Sequence, residues 1–438
     1  MSDRGQAASA AGKRALLTRR NMLITGVGMV GAGLLAARKA DVSGPRDDYF
    51  IGLEKALKSA GIATPTLVVD RARLDANIAA LMESLPPGMG YRIVAKSLPS
   101  LDLIAYIRAQ TGSSRIMTFN LPMLEALSQA MPDADQLIGK PLPAGAARAY
   151  MHSGRFTADV RSKVQWLVDS PSRLREYADI AHGMNEPIRV NIELDVGLHR
   201  GGVVPGEALA SMLRAISADE LLTFSGFMGY EPHVAAIPDF GGLRDRQLRK
   251  AWNTYQGALD AAREILGAGA VERATRNAAG SPTYGFYEDT RIANEVAVGT
   301  ALVKPSHYDM DTLTHHVPAS FIASPVIKSF NETRIPGLEM LDGVKRAFNP
   351  NLDHTVFIYG GNWLADPVDP PGLRYNPTYG RSSNQEMLNG GSAIDLAVDD
   401  FVFFRPQQSE AVFLQFGDIA VYEDGKITDF WPVFPASA

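Results

Sequence analysis

The sequence predicts a (β/α)8 barrel followed by an all-β C-terminal domain. Three observations predict it. From Tyr91 to Val303, short β-branched runs alternate with amphipathic helical stretches. Eight such runs follow one another, the number that closes a barrel. Beyond Asp311 the helical spacing stops and strand-like runs take over, with "EDGK" as a hairpin turn signal. A doubly wound parallel sheet is the rival architecture for the first part.

Residues 1–40 stand apart from the fold. A basic lead reaches Thr18-Arg19-Arg20-Asn21-Met22-Leu23, and a mildly apolar, glycine-rich run continues to Ala37. That run is shorter than the ~20 apolar residues of a membrane span. The pattern resembles a twin-arginine export signal, so the expected location is the periplasm. Ala40 suits the last residue of a cleaved signal, but Arg38 sits where a small residue is preferred. An uncleaved segment would act as a membrane tether. Residues 41–63 read as a linker with a short helix.

The barrel unit is expected over 64–310. "TPTLVVD", Thr64–Asp70, is an opening strand, and Leu74, Ile78, Leu81 and Leu85 mark the helix after it. The eight barrel strands are expected at Ile93–Lys96, Arg115–Asn120, Gln136–Lys140, Trp166–Asp169, Arg189–Asp195, Thr223–Tyr230, Arg273–Ala278 and Val296–Val303. Helical stretches such as "LDLIAYIRAQ", "LPMLEALSQA" and "PSRLREYADIAHGM" lie between them. The β domain is expected over 311–438. It contains a long Gly- and Pro-rich insertion, "GGNWLADPVDPPGLRYNPTYGRSSNQEMLNGG", read as a lid over an active site or a dimer arm.

Composition narrows the function classes. The net charge is −5 and no basic stripe with interleaved aromatics appears, so nucleic acid is not an expected partner. There is no cysteine, which excludes disulfides and thiolate metal ligands.

Chemistry concentrates at strand ends, where barrel enzymes place it. Lys96 ends the first barrel strand in "YRIVAKSLPS". It is either a solvated charge or an amine that attacks an aldehyde carbon once burial favours its neutral form. His199 and Arg200 follow strand five. Tyr230 and His233 follow strand six. Asn277, Gly280, Ser281 and Thr283 follow strand seven, and Gly299 and Thr300 belong to strand eight. Small, hydroxylic segments after the last two strands suit a phosphate. A lysine on strand one and a phosphate cup on strands seven and eight suit pyridoxal phosphate.

From these residues the chain is similar to the fold-type III pyridoxal-phosphate enzymes. It resembles alanine racemase and, more closely, the D-threonine aldolase and D-serine dehydratase group. "TPTLVVDRARLDANIAAL", "VAKSLPS", "ELDVGLHRGGV", "NAAGSPTY" and "VAVGTALV" carry the likeness, which covers Thr64 to Pro432. The resemblance implies a homodimer and an opening strand that joins the β domain. It also implies that Lys96 bonds the coenzyme, with His199 and Arg200 beside its ring. Asn277, Gly280, Ser281, Thr283, Gly299 and Thr300 would bind it, and Tyr230 and His233 would face a small amino-acid substrate.

Two departures from the family pattern bear on the reaction. The aldolase and dehydratase group carries a metal-binding pair late in the β domain, where this chain has Gln408 and Glu410. Glu410 can ligate, but Gln408 replaces imidazole poorly, so an ion here would be Mn²⁺ or Mg²⁺. The second departure is Ala297, where alanine racemase sets an arginine against the pyridine nitrogen. A racemase also needs a second base, for which Tyr359, Tyr375 and Tyr379 are candidates.

The expected activity is therefore a lyase that cleaves D-amino acids with a β-hydroxyl. An amino-acid racemase or epimerase, a D-serine dehydratase-like ammonia-lyase and a non-catalytic coenzyme carrier are the alternatives.

Overall fold

The computed structural model describes residues 38–334, 337 and 339–435. The twin-arginine stretch and the apolar run after it, residues 18–37, lie outside the described residues.

A helix, Asp48–Ser59, precedes strand β1, Thr66–Asp70, and eight parallel strands then close into a barrel. These are β2 (Gly90–Val94), β3 (Arg115–Thr118), β4 (Asp135–Ile138), β5 (Val164–Val168), β6 (Ile188–Leu194), β7 (Leu222–Gly229), β8 (Thr275–Ala278) and β9 (Glu295–Val298). They neighbour one another in chain order, and β2 pairs with β9 to complete the ring. Closure excludes the doubly wound alternative. After three of the strands a polar residue caps the next helix. Ser100, Asn120 and Ser170 accept hydrogen bonds from the backbone N–H groups of Leu103, Met123 and Arg173.

Several expected strands end earlier than their apolar runs. Strand β2 stops at Val94, and Lys96 sits in a 3-10 turn, Ala95–Ser97. The run Val296–Val303 splits into β9 and a helical turn, Thr300–Val303. Gly299 lies at the break, where a Cβ would meet Val94 at 2.9 Å and Ser97 at 3.0 Å. Arg273 closes a helix rather than opening a strand.

The β domain is one mostly antiparallel sheet. Its strands are β10 (Ser320–Phe330), β11 (His354–Tyr359), β12 (Ala365–Asp369), β13 (Arg374–Tyr375), β14 (Gln385–Gly390), β15 (Phe401–Pro406), β16 (Asp418–Glu423) and β17 (Lys426–Pro432). The order runs β13-β14-β11-β10-β1-β16-β17, and β15 joins β10 to β12. The long insertion supplies β12, β13 and β14, so it is sheet and not a lid over this chain's cavity. Residues 409–415 form a short helix and a 3-10 turn, although the run from Ala411 reads as strand-like. Asp424 and Gly425 both take positive φ in the hairpin between β16 and β17.

Strand β1 is buried throughout and lies in this sheet, antiparallel to β10 and parallel to β16. Its side chains alternate, as a strand requires. Leu67 and Val69 join the main core, whereas Val68 packs with Leu53, Phe401 and Phe403 on the other face.

Charged and polar groups plug the lower barrel. Arg92 is fully buried, and all its N–H donors are used. Two go to Glu295 at 2.5 and 2.9 Å, one to Asp135 Oδ1 at 2.7 Å, and two to the carbonyls of Ile116 and Asp135. Burial works against the Asp135 carboxylate, yet Arg92 and Arg189 outweigh it and hold its pKa at about 2. Asn277 Nδ2 donates to the same Glu295, which links the plug to the floor of the cavity above.

Replacing Arg92 with Met would leave two acids without their shared cation. A loss of about 3–5 kcal/mol in urea unfolding is expected. A loss below about 1 kcal/mol would contradict this account of the plug.

Candidate active site

A cavity of ≈ 570 Å³ opens at the C-terminal ends of the barrel strands. That lies within the ~300–1,000 Å³ of small-molecule sites. The barrel supplies most of the wall, and the β domain adds Glu410, Leu414, Phe434 and Pro435. The C-terminal segment is held in place by backbone pairing: Phe434 N–H donates to the Pro99 carbonyl at 2.8 Å, beside the Lys96 turn.

Lys96 reaches into this cavity. Its ammonium lies 3.5 Å from a Glu410 carboxylate oxygen and 5.1 Å from the Phe119 ring centroid. The side chain is 45% exposed, so the cavity around it is open to ligand and not sealed in apolar packing. Glu410 is fixed by hydroxyls. Ser97 Oγ donates to it at 2.7 Å, and Thr300 Oγ1 lies 2.9 Å from Ser97 Oγ and 3.4 Å from the carboxylate.

Gly280, Ser281, Gly299 and Thr300 line the cavity together, as does Asn277. Gly280 is under a steric constraint, because a Cβ there would lie 2.4 Å from the Tyr230 ring. Ser281 Oγ accepts from the Ala301 N–H at 3.0 Å, which ties the loop after β8 to the turn after β9. Thr283 differs from the expectation. It is buried behind the loop, where its hydroxyl donates to Glu231 at 2.8 Å and accepts from the Gly280 N–H at 3.2 Å.

Tyr230 and Arg200 also line the cavity, with the guanidinium 5.3 Å from the Tyr230 ring centroid. Burial pushes the Tyr230 phenol up. His199 and His233 do not line the cavity. His199 is exposed, at φ 56, and pairs with Asp195 at 2.8 Å. His233 packs against Gly197, and burial followed by the nearby His199 holds its imidazole below its ordinary value. Gln408 is exposed and outside the wall. Tyr359, Tyr375 and Tyr379 do not line it either; the Tyr375 hydroxyl donates to the Ala365 carbonyl.

Sequence reasoning missed four groups here. Ser97 and Lys140 carry ordinary side chains near strand ends, which give no signal alone. Glu193 lines the cavity, and burial raises its carboxyl pKa against the opposing pull of Arg200. Glu231, in "GYEPH", is the strongest omission. It is buried beneath the loop after β8 and accepts from Thr283 and from the Ala279 N–H. Burial pushes its pKa up to about 7, against the hydrogen bonds from Thr283, Ala279 and Tyr287. An acid directly after a strand-end tyrosine was the available cue.

Pyridoxal phosphate fits this donor set. Lys96 offers the amine, Ser281 and Thr300 offer hydroxyls on the facing wall, and Met228, Asn277 and Ala297 leave the wall between them uncharged. A divalent ion does not fit. The Glu410 oxygen faces an ammonium and two hydroxyls, Gln408 is exposed and does not line the cavity, and among the described residues no three His, Cys, Asp or Glu side chains converge.

Comparison with known proteins gives a consistent picture. The family described as "Alanine racemase, N-terminal domain" matches residues 69–307. A curated relative, 3-hydroxy-D-aspartate aldolase of Paracoccus denitrificans, is 24% identical over 274 residues, 62% of this chain and 68% of that protein. The structure of D-threonine aldolase from Filomicrobium marinum superposes with a TM-score of 0.68 at 18% identity, covering 86% of this chain and 96% of that one. A metal-free mutant form of D-threo-3-hydroxyaspartate dehydratase superposes with a TM-score of 0.65 at 16% identity, covering 85% and 98%.

The buried Glu231 sets a pH dependence. Its folded pKa stands above the unfolded value, so the folded state binds the extra proton. Its ionisation therefore costs stability as pH rises from the unfolded pKa of about 4.5 through about 7. Glu231→Gln lacks this term. The variant is expected to gain on the parent by on the order of 2–3 kcal/mol between pH ~5 and ~8 in urea titrations. A pH-independent difference would count against the buried, titrating carboxyl.

Proposed function

The chain belongs to the alanine racemase N-terminal-domain family, and from that premise we propose that it is a pyridoxal-phosphate lyase. Its substrates are D-amino acids bearing a β-hydroxyl, split between the α- and β-carbons into glycine and an aldehyde. One observation carries the choice: the amine of Lys96 shares its cavity with a carboxylate, Glu410, held 3.5 Å away by the opposite domain. Such a pair suits a substrate whose hydroxyl, next to its α-carbon, must give up a proton. The aldolase and dehydratase relatives support the same class of chemistry.

Pyridoxal phosphate, when bound, supplies an electron-poor conjugated ring that stabilises the pair left on a substrate α-carbon. The chain's own residues do the rest. Lys96 would carry the amine that bonds the coenzyme, and its free amine would take or return a proton at the substrate α-carbon. Ser281 and Thr300 would hold the phosphate end, and Thr283 and Glu231 brace the Ser281 loop from behind. Tyr230 packs on Gly280 and keeps that loop close to the wall. Leu414 and Phe434 cover the cavity from the β domain and limit water. The uncharged wall at Ala297 lacks the cation of the racemase arrangement, which favours the lyase reading over its racemase alternative.

The lyase reading extends to its setting. The Thr18–Leu23 motif supports export to the periplasm, and the family resemblance supports a homodimer. Twin-arginine export carries folded protein, so the coenzyme is loaded before transport.

Proton NMR of the coenzyme-loaded protein with D-threonine in D₂O tests the reaction. Glycine and acetaldehyde are expected. Loss of the α-proton with an intact carbon skeleton would establish a racemase instead.

A further inference from the structure

Resting on the lyase reading, we propose that Glu410 is the catalytic base for the substrate β-hydroxyl and that the cleavage needs no divalent ion. A substrate amino nitrogen must take over the position that Lys96 Nζ holds on the coenzyme. A β-hydroxyl oxygen lies three bonds from that nitrogen, on the order of 3–4 Å away. Glu410 stands 3.5 Å from Lys96 Nζ, inside the same cavity, so its carboxylate is within reach of that hydroxyl.

The carboxylate is already organised as an acceptor. Ser97 Oγ donates to it at 2.7 Å, and Thr300 Oγ1 lies at 3.4 Å. It lies in the short helix Ser409–Val412, which the β domain sets against the cavity. The charged and titratable groups facing it are Lys96, Tyr230 and Tyr308; burial followed by Glu410 pushes the Tyr308 phenol up. None of them is a second carboxylate or an imidazole that could complete a metal's ligand set. A metal acts in such a reaction by making the hydroxyl easier to deprotonate. A fixed carboxylate beside the hydroxyl does the same work by accepting the proton.

The step balances without an external reagent. Glu410 takes the hydroxyl proton. The O–H pair becomes the second bond of the aldehyde carbonyl, and the Cα–Cβ bond breaks. Its electron pair stays on the α-carbon until Lys96 delivers a proton there, giving glycine. Glu410 then returns its proton to Lys96 across the 3.5 Å gap.

The test uses the full chain loaded with pyridoxal phosphate, after exhaustive chelation and dialysis. Two rates are measured: aldehyde release from D-threonine, and α-proton exchange of glycine in D₂O. Coenzyme loading is followed separately by its absorbance. The chelated parent should cleave at its full rate. The ratio of cleavage to exchange should decline from the parent to Glu410→Asp to Glu410→Gln, with a fall of roughly 10²–10⁴-fold for Gln. A structural role alone would lower both rates together. The proposal is overturned if chelation abolishes cleavage and Mn²⁺ or Mg²⁺ restores it, or if the ratio does not fall in the two variants. A parent that exchanges α-protons but releases no aldehyde would instead remove the lyase reading on which the proposal rests.

Discussion

Strand β1 is the constraint on which the active site depends. It belongs to the β domain by hydrogen bonding, between β10 and β16, yet the helix that follows it, Arg71–Ser84, belongs to the barrel shell. Asn77 on that helix locks the junction. Its amide donates to the carbonyls of Leu302 and Val317, and its oxygen accepts from the Val317 N–H. The two domains are therefore sewn together by one continuous stretch of chain. Only in that arrangement do Glu410, Leu414 and Phe434 stand over the strand ends that carry Lys96.

Electrostatics inside the barrel follow from the same closure. A ring of parallel strands has no room for an unpaired charge, and Arg92 survives in the interior because five acceptors surround it. Asn277 passes the arrangement upward, donating to Glu295 while it lines the cavity. Asn277 is thus a polar, uncharged group of the lining, whose charged members include Lys96, Glu193, Arg200 and Glu410. Lys96 faces Glu410 there, while Arg200 lies over Tyr230.

Much of the architecture was legible because it is periodic. The alternation of apolar runs and helical stretches gave the number and order of the barrel strands, and the change of spacing near Asp311 marked the second domain. Strand ends were less legible, since burial continues past the last strand hydrogen bond. Lys96 and Thr300 lie in turns for that reason, although their runs read as strand. Gly280, Ser281, Gly299 and Thr300 were found because small residues after adjacent strands signal a close approach. Thr283 has the same composition signal but turns inward, and only the three-dimensional placement of Glu231 explains why. His199 and His233 share the reverse problem: their motif is clear, but the positive φ of His199 directs it to Asp195 and solvent. The position of Glu410 was legible and its partner was not, because a contact between residues this far apart in the chain leaves no local pattern.

The central claim is that one particular amine holds the coenzyme. Borohydride reduction of the pyridoxal-phosphate-loaded protein, followed by peptide mapping by mass spectrometry, tests it directly, because reduction fixes the coenzyme to the nitrogen it is bonded to. A second lysine, Lys140, lines the same cavity and makes the experiment discriminating. The account predicts the coenzyme mass on Lys96 alone. Label on Lys140, or label spread over surface lysines, would contradict it.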